Sequence, residues 1–211
     1  MSEETQALQR IVAQHEGQPW DADEGLPLED VWATPPGLLV AGILSTSAAP
    51  QHVLEYLAVA VAKRVLACWE LYCDGDAPRQ AVVAVEQHLL TRDMVVPEVF
   101  EEAAEPAFRG TPIVDCRACD TGSAASAASH LVRFIRGRDP AQVVHCLAAA
   151  SAAWDQSPLY HEDRFMQWLR DIAIPGAVAG RLLSPDEENA YRQFTLERIH
   201  AAREEHGGHG R

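Results

Sequence analysis

Basic residues are scarce in this chain. Seventeen Lys and Arg stand against 31 Asp and Glu, a formal net charge of −14. Binding to a nucleic-acid backbone needs clustered Lys and Arg, so this balance excludes a general nucleic-acid binder. It also opposes docking on an anionic membrane. No apolar run is long enough to span a bilayer. The start, MSEETQALQR, shows no basic beginning followed by an apolar core, so no signal peptide is expected there. The five cysteines are odd in number and irregularly spaced, which argues against a disulfide framework and fits a reducing cytosol. No Walker sequence, dinucleotide fingerprint, kinase set or H-E-x-x-H is present. The serines of GSAASAASH (122–130) are not a G-x-S-x-G elbow; small residues at this spacing let helices approach closely.

The remaining pattern is alanine-rich and helical. Hydrophobic residues make up 47% and charged residues 23%, ordinary values for a globular chain. The expected architecture is all-α, with helical hairpins packed as a bundle or short repeat array. Three parts are expected: an N-terminal helix and acidic, Pro-rich segment (1–48), a helical domain (49–205) and a short tail (206–211). Residues 49–73 give the strongest signal, with Val53, Leu54, Leu57, Val61, Val65 and Trp69 at helical spacing. A shorter helix is expected over 3–15, and residues 17–37 read as irregular. GLLVAGILS (37–45) fits either a buried strand or a helix, and its helical neighbours favour helix. Further helices are expected over 78–90, 97–108, 123–136, 140–153 and 160–171, with a loop over 109–122. A short helix is expected in PGAVAGRLL. A last one opens at the capping box of Ser184 and Glu187 and carries Tyr191, Phe194, Thr195 and Ile199 on its apolar face.

One pattern occurs twice. Gly75, Pro78, Gln80 and Val82 align with Gly137, Pro140, Gln142 and Val144 at an offset of 62. Asp76 and Asp139 stand where N-caps belong, each followed by a proline suited to a first turn. Two hairpins with similar turns account for the pattern, and a duplication remains compatible with it.

Candidate chemistry is sparse. Cys116 and Cys119 form a C-x-x-C without a second ligand pair, leaving incidental, metal and redox readings open. His130 and His145 fall on the second hairpin and His88 on the first. The acidic segment is more distinctive. Glu16, Asp21, Asp23, Glu24, Glu29 and Asp30 occur without an intervening base. Such a field steers a basic partner. Trp20 and Trp32 flank it, either as contact residues or as ties to the core. The expected partner-binding residues are therefore Trp20, Asp21, Asp23, Glu24, Glu29, Asp30 and Trp32. No catalytic, cofactor or metal residue is expected.

The segment LAVAVAKRVLACWELYCDGDAPRQAVVAVEQHLL joins an alanine-rich helix, a Gly/Asp/Pro turn and a second alanine/valine helix. Its Arg64, Val65, Leu66, Trp69, Asp76, Pro78, Arg79 and Gln80 resemble the immunity proteins of bacterial polymorphic toxin systems. The resemblance spans about residues 54–155 and extends to the small-residue helices GSAASAASHLV and AAASAAW. It implies a cytosolic all-helical protein that binds a cognate toxin, a basic one suiting the acidic charge. It transfers no individual contact residue. The alternatives are an adaptor or scaffold in a bacterial secretion or assembly system and, third, a metal-dependent helical-bundle enzyme.

Overall fold

The computed structural model describes residues 1–18, 20, 31–72, 76–92, 117–156 and 164–191. They contain helices and no strand. Helix α1 (Glu3–Gln14) starts at Ser2, whose side chain accepts from the Thr5 N–H, with Glu3 and Glu4 complementing the dipole. Helix α2 (Pro35–Thr46) starts at Thr34, which caps Gly37, and resolves the strand-or-helix ambiguity of 37–45. It begins two residues before that expected segment because Thr34 and Pro35 already supply a cap and a first turn. Gly42 lets α1 approach α2: a Cβ there would lie 2.4 Å from Ile11 Cδ1.

Helix α3 (Pro50–Tyr72) is the central element. Val53, Leu54, Leu57, Ala58, Val61, Val65 and Trp69 are buried, and α3 meets several helices at once. Helix α4 (Ala77–Thr91) returns antiparallel to it, as the Lys63–Glu86 ion pair shows at 2.7 Å. Helices α5 (Arg117–Gly137) and α6 (Ala141–Gln156) form the second hairpin. Ala124, Ala125, Ala127 and Ala128 of α5 are fully buried, so the small-residue spacing serves close packing. Helix α6 runs parallel to α3: the Cys146 thiol reaches the Ala58 carbonyl, and the Cys68 thiol the Ala153 carbonyl. Leu8, Val12, Leu39 and Ile43 join the same core as Leu57 and Val144.

The two copies of the repeated turn differ at the cap. Asp139 caps as foreseen, its Oδ1 accepting from the Ala141 N–H at 3.0 Å. Asp76 does not. Its φ and ψ are −91° and 0°, already helical, and its side chain makes no cap bond. A capping oxygen must come from an extended residue to reach the next turn. Helix α5 also begins inside the expected loop 109–122. Gly122, the last residue of that expected loop, lies within it, and so does Cys119. A glycine costs a helix only about 1 kcal/mol, which packing readily outweighs.

The C-terminal part is a bent run. Helix α7 (Phe165–Trp168) passes into a π turn (Leu169–Ala173) and then α8 (Ile174–Val178). Pro175 explains the wide turn, because its ring would clash with a carbonyl in regular α geometry. The Ile174 N–H bonds to Leu169 O, and the next N–H in that register is absent because residue 175 is proline. The Arg170 carbonyl is taken instead by Gln9 Nε2 of α1 at 2.9 Å. Helix α9 (Pro185–Asn189) carries the expected capping box. It ends before Tyr191, and the rest of the expected apolar face, Phe194, Thr195 and Ile199, lies outside the described residues. Ala190 is extended, with ψ 141°, and Tyr191 has φ 63°. The carbonyls of Glu188 and Ala190 accept from Arg64 at 2.6 and 3.0 Å, and that of Glu187 from the Trp168 indole at 2.9 Å. Core side chains thus take the bonds that further helical turns would need. Residues 97–108, Cys116, 160–163 and the tail lie outside the described residues.

Candidate functional site

The acidic segment is anchored on both sides. Trp20 is 3% exposed and its indole N–H donates to the His15 carbonyl at 3.1 Å. Val31 is buried after the segment, and Trp32 packs partly buried against the core. Asp21, Asp23, Glu24, Glu29 and Asp30 lie outside the described residues. Glu16, the first acid, pairs with Arg170 at 3.3 Å. Beside it, a recess of about 310 Å³ is lined by Gly17, Trp154, Phe165 and Gln167. Trp154 and Phe165 stack there at 5.6 Å.

The structure brings His130 and His145 together. Their rings stack with centroids 5.1 Å apart, and His130 Nδ1 lies 2.9 Å from Gln142 Oε1. Burial pushes His130 down to about 4; Gln142 opposes the shift, and His145 and Arg133 add to it. Burial also lowers His145, against the pull of Asp139. Among the described residues no group of three His, Cys, Asp or Glu is placed to hold a metal ion. Burial raises the Cys146 thiol to about 12, which makes it a packing residue rather than a nucleophile.

The histidine pair makes stability depend on pH. In the unfolded chain both rings titrate near 6.5, while the folded chain keeps His130 neutral down to about 4. Below 6.5 the unfolded state therefore binds more protons, and stability falls as pH drops. Between pH 6.5 and 5, His130 alone accounts for a loss of about 2 kcal/mol. Urea denaturation at the two pH values measures it. His130→Gln should remove most of the slope; an unchanged slope would show that other groups carry it.

A third cluster escaped the sequence reading. Glu55, in the apolar face of α3, has a side chain only 3% exposed. Arg92, directly after α4, donates Nη1 to its Oε2 at 2.6 Å. Arg138, directly after α5, donates Nη1 to its Oε1. Both arginines have left-handed backbones, with φ 58° and 59°. Glycine is the usual residue at such a position, so the side chain is what each site requires. His52 lies tilted against Tyr56 with ring centroids 4.7 Å apart, and its Nδ1 is 3.5 Å from Arg92 Nη2. Gly180 makes room for it: a Cβ there would stand 2.3 Å from His52 Nε2. The available signals were a lone acid among apolar residues and an arginine after each of two helices.

No protein-family model, curated protein or solved structure matches this chain.

Proposed function

We propose that this chain acts by binding another protein, and that it serves as an immunity protein neutralising a cognate toxin. The observation that carries the reading is the anchored acidic segment. Residues 21–30 run between two buried points, Trp20 and Val31, and five acids fall between them without a base. A charged segment fixed at its ends loses less conformational freedom on binding than a free tail. Its field raises the association rate of a basic partner. The resemblance of residues 54–155 to immunity proteins adds the toxin, and the net charge of −14 suits a basic one.

The test begins with the partner recovered from native lysate. Asp21, Asp23, Glu24, Glu29 and Asp30 are then changed to Asn or Gln, and association is followed at low and moderate salt. Association should slow roughly tenfold or more at low salt, and its salt dependence should weaken. Helicity should not change. Equal rates at both salts would leave the segment without a part in recognition. A captured partner that is neither toxic nor silenced by this chain would favour the adaptor reading.

A further inference from the structure

We propose that Arg92 and Arg138 form a binding site for a small oxyanion, a phosphate or carboxylate group, at the end of the bundle where α3 begins. This site stands apart from the acidic segment and does not depend on the reading above.

The charge at this end of the bundle is unbalanced. One guanidinium would neutralise Glu55, yet two grip it. The surplus positive charge is notable in a chain of net charge −14. Asp139, which follows Arg138, keeps its own negative charge, which acts on the Ala141 N–H and on His145.

Each guanidinium has five N–H bonds. Glu55 takes one Nη1 from each, and both its oxygens are then engaged. Arg92 Nη2 has only a distant contact with His52, at 3.5 Å. Gln51 stands one turn before Glu55 on the same face of α3, and its buried Nε2 has no acceptor. The first turn of α3 contains no acid, so its N-terminal dipole is not offset there. Gln51 Nε2 thus has no acceptor and Arg92 Nη2 only a long one.

The side chains of Arg92 and Arg138 are 41% and 45% exposed, so their outer edges meet solvent while the inner edges hold Glu55. Both reach the same carboxylate, which keeps them close enough for one oxyanion to bridge them. Charge-assisted bonds of this kind are short and directional.

The full-length protein is titrated with sodium phosphate and, separately, with sodium acetate, against sodium chloride at equal ionic strength. Binding is followed by calorimetry and by thermal unfolding. Saturable binding of phosphate or acetate is expected, and the tighter of the two identifies the source of the oxyanion. Arg92→Gln should weaken it roughly tenfold or more, as expected for loss of a charge-assisted bond. Glu55→Gln should tighten it by a similar factor, because a competing carboxylate is removed while both arginines remain. The Glu55 variant keeps the test decisive even if the Arg92 variant folds poorly. A response no different from chloride, or one that Glu55→Gln leaves unaltered, would overturn the proposal.

Discussion

Replacing Arg92 and Arg138 together with Gln should destabilise the fold by about 3–5 kcal/mol, the range for stranding a buried charge. The Glu55 side chain is 3% exposed and both its oxygens are held by these arginines. With both gone, the carboxylate keeps its desolvation cost and loses its counter-charge. Each single variant should cost much less, since the remaining guanidinium still neutralises Glu55. The double loss should therefore exceed the sum of the single losses. Adding Glu55→Gln to the double variant should restore most of the stability, because the stranded group is then neutral. Urea denaturation of the five proteins measures the cycle. Additive single losses, or no recovery with Glu55→Gln, would mean that the pair only decorates the surface.

The part of the fold readable from sequence was the part governed by local rules. Apolar spacing from Val53 to Trp69 marked α3, and the Ser184–Glu187 box marked the start of α9. Pro78 and Pro140 marked the starts of α4 and α6, with Pro78 inside its first turn and Pro140 just before α6. Elements failed where distant groups decided. Helix α9 stops at Asn189, while its sequence favours continuing. The stop depends on Arg64 and Trp168, each far away in sequence, and both take backbone carbonyls at that point. The early start of α5 is similar. Residues 117–122 read locally as loop, with Gly122 weighing against a helix there, whereas the small residues that follow already read as a closely packed helix and are buried as such.

The candidate sites follow the same division. Acid content and the flanking tryptophans were visible as composition, and the structure adds that Trp20 belongs to the core. His130 and His145 were placed on paired helices, but their stacking needed the register between α5 and α6. The Glu55 cluster joins three helices across 37 and 83 residues of sequence. No local pattern encodes that convergence. Its local traces are a lone acid in an apolar stretch and an arginine after each of two helices, and the left-handed backbone of those arginines is visible only in the structure.

Trp168→Ala should cost about 3–5 kcal/mol, the range for truncating a buried tryptophan. Trp168 is fully buried, and it lies beside Phe165 with centroids 5.9 Å apart. Its ring also supports the Arg64 guanidinium, whose carbon stands 4.4 Å from the ring centroid. Arg64 in turn holds the Glu188 and Ala190 carbonyls, while the indole N–H holds that of Glu187. The truncation therefore opens a cavity and loosens the attachment of residues 187–190 at once. Trp168→Phe separates the two effects. It keeps most of the apolar surface but removes the N–H donor, so about 1–3 kcal/mol should be lost. Amide hydrogen exchange at residues 184–191 should quicken in both variants, whereas exchange in α6 should follow global stability alone. Equal losses for Phe and Ala would assign the whole effect to the hydrogen bond. Unchanged exchange at 184–191 in the Ala variant would show that Arg64 fastens this end of the chain without help from the indole.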